Sequence, residues 1–198
     1  MQFRDHGALL DMDSSLVLVV DMQEAFRSGV RGFSSILPSA VKIVSAARVL
    51  GIPVVGTEQS PHLMGATVQE ITQIIDERSF HPKESFSAVR VLEVADTIEK
   101  AQPQSIVLLG CETHVAVLQT ALQLLSSYDG HVHLVVDATA SRRDRDRDLA
   151  LGRLQRTGVH LTSSEMVLFE WLRDTRHPKF QLIGGATPTS SLSDPSVS

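Results

Sequence analysis

Polar residues stand directly behind several short apolar runs of this chain. Asp21 follows residues 16–20, Thr57-Glu58-Gln59 stands at the end of the second run, Gly110-Cys111-Glu112-Thr113-His114 follows residues 105–109, and Asp137 follows residues 131–136. In open parallel sheets, ligands gather outside the carboxyl ends of the strands, which makes these residues the first candidates for chemistry. A carboxylate such as Asp21 at the end of an apolar strand is desolvated enough to serve as a base near neutral pH. The same residue also suits a cap on a helix starting near Gln23, and the residues alone leave both roles open. Lys83, within Phe80-His81-Pro82-Lys83-Glu84-Ser85-Phe86-Ser87, reads by itself as a surface lysine. The histidines at 62, 81, 131 and 133 show no metal-ligand spacing, and His131 and His133 read as one face of a strand, so neither a metal nor another cofactor is expected.

The elements that must position these residues alternate along the chain. Residues 16–20, 53–57, 105–109, 131–136 and 159–162 are short, rich in β-branched residues and bounded by Gly, Asp or Thr, as buried parallel strands are. Between them, Val41, Ile43, Val44, Ala47 and Leu50, and then Val115, Leu118, Ala121, Leu122 and Leu125, recur at helical spacing. Gly51, Gly130 and Gly158 mark helix ends. Strand alternating with helix predicts a three-layer α/β/α sandwich around a mostly parallel, Rossmann-like sheet of five or six strands. One domain over residues 1–183 is expected, followed by a tail at 184–198, where eleven of fifteen residues are Gly, Pro, Ser or Thr.

Charge and composition narrow the function. The 18 Lys and Arg against 23 Asp and Glu give a net charge of −5, the wrong sign for a protein that grips phosphate backbones through a broad basic face. The alternating run from Arg142 to Asp148 largely neutralises itself and reads as a solvated helix start with mutual ion pairs. One cysteine excludes an internal disulfide and fits a reducing compartment. No signal-like leader and no run of about 20 apolar residues is evident, so a cytoplasmic protein without a membrane partner is expected, with mitochondrial import left open.

The segments VLVVDMQEAF, TEQSP, KESFSA, GCETHVAVLQTALQL, VVDATASR, RTGVHLTSSEMVLFEWL and HPKF, in that order, resemble the isochorismatase-like cysteine hydrolases, and most of all the branch of isochorismatase domain-containing proteins. The similarity runs from about Ser15 to about Ile183 and rests on the combination of motifs rather than on any one of them.

The resemblance implies a triad in which Asp21 deprotonates a cysteine, Lys83 steadies the charges and the thiolate attacks an amide or related acyl carbon. Backbone N–H groups of the turn after residues 105–109 would form the oxyanion hole, with a cis peptide expected between Cys111 and Glu112. A cysteine at such a helix start has its thiolate favoured by the dipole and the nearby lysine. Setting GCETHVAV on the family's Gly-Val-Glu-Thr-His-Val-Cys-Ile, however, leaves Ala116 at the nucleophile position and puts Cys111 five residues too early, in an apolar slot. Cys111 then reads as a packing residue, with a relocated nucleophile as the other reading. Ordinary cysteine-hydrolase chemistry is expected to be absent, since losing the nucleophile removes most of the rate.

Phe26, Gln59, Phe86, Glu112, Thr113 and His114 are the expected lining for a small amide, acyl or carboxylate compound. Family resemblance also suggests a homo-oligomer, a dimer or a tetramer. The competing readings are a non-catalytic binding or interaction protein and, from a ribonuclease description attached to some relatives, an RNA-cleaving protein. No nucleic acid is expected as a partner.

Overall fold

The computed structural model describes residues 9–184, so the expected tail, apart from Gly184, lies outside the described residues. Six strands form one sheet in the order β3-β2-β1-β4-β5-β6, with every neighbouring pair parallel. They are β1 (Ser15–Val20), β2 (Val54–Gln59), β3 (Phe80–Lys83), β4 (Ser105–Cys111), β5 (His131–Ala140) and β6 (His160–Thr162). The chain order reverses between β1 and β4, which opens a crevice at their carboxyl ends.

β1 and β4 are buried along their whole lengths because helices cover both faces of the sheet, so their residues alternate between two cores rather than between core and water. Val17, Val19, Val107, Leu109 and Cys111 pack with helices Phe33–Leu50 and Ser164–Leu172. Leu16, Leu18, Val20, Ile106 and Leu108 pack with helices Leu92–Ala101, Leu118–Ser127 and Asp144–Arg156. Helix Phe33–Leu50 is long and apolar enough to cross a membrane by length and composition alone, although no such run was expected; here Phe33, Ile36, Ala40, Ile43, Val44 and Ala47 of that helix lie in the first core. It ends at Gly51, whose φ of 79° is one that glycine adopts without strain. Gly130, by contrast, does not close its helix, which is capped by Tyr128.

Four expectations about the strands are corrected. β4 runs two residues past 109, to Cys111. β3 was not foreseen: it is a four-residue edge strand that tolerates Pro82, a residue the sheet interior excludes. β2 runs two residues further than expected, to Gln59. β5 continues to Ala140, because its pairing with β4 skips from Leu134 opposite Leu108 to Thr139 opposite Gly110, a bulge that absorbs extra residues. Asp137 therefore lies inside the strand. Its carboxylate accepts bonds from Ser164 N at 2.7 Å, Ser164 Oγ at 2.6 Å and Ser39 Oγ at 2.9 Å, tying two helices to the sheet. The Arg142–Asp148 run is also only partly solvated, since Arg147 donates to the carbonyls of Val136 at 2.6 Å and Thr139 at 3.2 Å, both in the bulged stretch.

Candidate active site

Asp21 is the first residue beyond β1 and has φ of 50°, a left-handed conformation unusual for a residue with a side chain. That turn aims its carboxylate across the ends of β2 and β3. Oδ1 accepts a bond from Thr57 Oγ1 at 2.8 Å, and Oδ2 lies 2.7 Å from Lys83 Nζ. The helix-cap alternative is thereby excluded: the carboxylate is spent on the sheet ends. Lys83 is not a surface residue either, for its side chain is 1% exposed and Nζ also donates to Gln59 Oε1 at 2.6 Å. Its stem is held because β3 pairs with β2, setting Lys83 opposite Gln59.

Burial acts on both charges of the pair. It pushes the Asp21 carboxyl up to about 6, against the opposing pull of Lys83 and Thr57. It pulls the Lys83 ammonium down from its ordinary range, against the pull of Asp21. Gln23, buried and unforeseen, braces this corner: its Oε1 accepts from Gln59 N at 2.7 Å, and its Nε2 donates to Gln59 O at 3.1 Å and Gly65 O at 2.6 Å.

β4 delivers the opposite wall. Gly110 has φ of 127°, and a Cβ there would fall 1.9 Å from the Val20 carbonyl oxygen, so only glycine lets β4 pass this close to β1. The next peptide, Cys111–Glu112, is cis. A π-helical turn, Thr113–Val117, then leads into helix Leu118–Ser127 and brings Ala116 to the cleft.

The resulting cleft, about 160 Å³, is lined by Asp21, Phe26, Gln59, Met64 and Phe86 on one side and by Cys111, Glu112, Val115, Ala116 and Arg142 on the other. Larger hollows of about 610 and 580 Å³ lie elsewhere on the surface, but neither encloses a buried charged side chain, and volume alone does not select a site. Cys111 borders the cleft while packing in the core with Val107 and Leu109, and burial pushes its thiol far above the usual range, against a backbone hydrogen bond at Ala140.

Glu112 is buried, and desolvation would raise its carboxyl. The hydrogen bonds and charge of Arg142 outweigh that and hold it below the usual range. Arg142 N donates to Glu112 Oε1 at 2.7 Å, and Arg142 Nη2 meets Oε2 at 2.5 Å.

Two of the expected lining residues point elsewhere. Thr113 is buried in a hydroxyl chain, with Oγ1 at 2.9 Å from Thr139 Oγ1, which donates to Gly110 O at 2.7 Å. His114 engages Ser141 Oγ through its backbone N at 3.3 Å and its ring Nδ1 at 3.0 Å. Among the described residues, no group of His, Cys, Asp or Glu is disposed to hold a metal.

Residues 15–166 match the isochorismatase domain. The chain belongs to the isochorismatase family. It is 43% identical over 183 residues to isochorismatase domain-containing protein 1 of Danio rerio, covering 90% of this chain and 64% of that protein, so it spans less than two thirds of that relative's length. It is 41% identical to isochorismatase domain-containing protein 2 of Xenopus laevis, covering 85% of this chain and 80% of that one. Among solved structures, that of the MAR1 ribonuclease from Caenorhabditis elegans superposes with a TM-score of 0.84 at 32% identity, covering 96% of this chain and 98% of that one. The family's α/β fold is thus the fold seen here, a parallel six-stranded sheet between helical layers.

Proposed function

We propose that this isochorismatase-family chain binds a small amide- or acyl-bearing compound in the cleft at the β1/β4 switch point, and that Ala116 leaves it without the sulfur nucleophile for hydrolysing that compound. The observation that carries the reading is the buried Lys83–Asp21 pair, 2.7 Å long, whose Asp21 end borders the same cleft as Ala116. Sequestering an ion pair from water costs several kcal/mol per ion before pairing offsets it, and such pairs cluster at functional sites. Asp21 offers an acceptor for a ligand N–H, while Phe26, Phe86 and Met64 supply apolar walls for a planar group. Cys111 does not substitute for the missing sulfur, because its thiol stays protonated in the core.

Calorimetry with benzamide and related small amides tests the reading. Binding heat that disappears in Asp21→Asn supports it. No heat with any amide, or rapid amide turnover by the unaltered chain, refutes it, and silence in both assays leaves a scaffold or interaction protein.

The similarity to the Caenorhabditis elegans MAR1 ribonuclease favours a second reading, RNA cleavage. A cleft of about 160 Å³, matched in size to a cavity that holds benzene, and a net charge of −5 both count against it. Incubation with single-stranded RNA is expected to leave the RNA intact. Homo-oligomer formation belongs to the same proposal, supported by the exposed Met166 and Phe169 on helix Ser164–Leu172.

A further inference from the structure

The cleft does not end at its apolar walls. A second chamber of about 210 Å³ adjoins it, and the two share Phe26, Met64, Glu112 and Arg142. What this outer chamber offers a ligand is narrowly defined. The backbone N–H groups of Ala25, Phe26, Gly29 and Val30, which line its wall, are spent: Ala25 N donates to Met64 O at 3.2 Å, Phe26 N to Gln23 O at 3.1 Å, Gly29 N to Ala25 O at 3.3 Å and Val30 N to Phe26 O at 2.9 Å. Glu112 is saturated by Arg142, which brings its backbone N at 2.7 Å, Nε at 3.1 Å and Nη2 at 2.5 Å to the carboxylate. Arg142 Nη1 makes no hydrogen bond among the described residues, and the Arg142 side chain is 59% exposed where Glu112 is 4% exposed. The pair is formally neutral, but its negative end is buried and its positive end stands at the opening. The inner chamber carries no net charge either, because Lys83 and Asp21 cancel.

We propose that the outer chamber is a carboxylate subsite in which Arg142 recognises the ligand, so that the compound taken by this protein joins an uncharged planar head to a single carboxylate on a short arm. The head fills the inner chamber, and the carboxylate meets the open edge of the guanidinium. A doubly charged group is disfavoured there, because Glu112 lies directly behind Arg142 and repels the second charge. This inference rests on the cleft being a ligand site and adds the charge and length of the ligand.

The test is a set of matched acids and amides measured by calorimetry: benzoylglycine against its primary amide, and the same two arms on pyridine and furan heads. The unaltered chain is expected to bind each acid about tenfold tighter than its amide, the range of a charge-assisted hydrogen bond. The preference should shrink in added salt. Arg142→Gln is expected to abolish the difference in affinity between each acid and its amide. Because that variant strands the buried Glu112, the double variant Glu112→Gln/Arg142→Gln, checked for folding by circular dichroism, must give the same result. Equal affinity of acid and amide for the unaltered chain overturns the subsite while keeping the cleft, as does a preference that survives in the double variant. Failure of every pair to bind overturns the cleft reading and the subsite with it.

Discussion

Lowering the pH should weaken this fold through one histidine, His133. β5 and β6 pair with His133 opposite His160, and their rings stack with centroids 4.8 Å apart and planes 20° off parallel. His131 closes the cluster at 6.3 Å from His133 and 5.4 Å from His160. His133 is 4% exposed, and its Nε2 is buried with no hydrogen-bond partner among the described residues. Burial, reinforced by the neighbouring His160 and His131, pulls its pKa from 6.5 to about 4.

A folded-state pKa below the unfolded one means that the unfolded chain binds the extra proton. The contribution is therefore complete above the unfolded pKa and is lost as the pH falls towards the folded one. The loss works out at about 2 kcal/mol by pH 5 and about 3 kcal/mol below pH 4. Asp21 titrates in the same window with the opposite sign, so the informative quantity is the difference between the unaltered chain and His133→Leu. Urea unfolding followed by circular dichroism at pH 7.5 and pH 5 is expected to show that difference shift by about 2 kcal/mol in favour of the variant on acidification. A difference that stays constant across this range would refute the reasoning.

Lys83→Met strands the buried Asp21 carboxylate and is expected to cost about 3–5 kcal/mol in thermal or urea unfolding, most of it recovered in Asp21→Asn/Lys83→Met. An equal loss in the single and double variants would show that Lys83 contributes packing rather than charge. Gly110→Ala forces a Cβ against the Val20 carbonyl between two central strands and is expected to exceed about 4 kcal/mol, seen as insoluble or unfolded protein; a near-normal melting temperature would contradict the close approach.

Much of this architecture was legible in the chain because central parallel strands announce themselves. β1 and β4 have helices on both faces, so residues 16–20 and 105–109 read as unbroken apolar runs. β3 escaped because an edge strand of four residues containing Pro82 has neither length nor apolar continuity. Lys83 looked like a surface residue for the same reason: what buries it is its register with Gln59 and the reach of Asp21, both long-range. Asp21 was legible from its place after β1, whereas Gln23 and Arg142 were not, since their roles arise only once the ends of β2, β4 and β5 are side by side. Thr113 and His114 illustrate the converse. Their place just after residues 105–109 suggested a lining role, but the π-helical turn directs Thr113 to the Thr139 hydroxyl and His114 to Ser141.

In the proposed function, the Ala116 methyl group stands where a sulfur nucleophile would meet the Asp21–Lys83 pair. Intact-mass analysis after brief exposure to acrylamide at neutral pH tests it most directly. No adduct is expected on the unaltered chain, whose Cys111 is buried, and one adduct is expected on Ala116→Cys, formed at a rate that falls sharply in Asp21→Asn/Ala116→Cys. Rapid labelling of Cys111 in the unaltered chain, or an Ala116→Cys thiol that reacts no faster than a free cysteine, would contradict it.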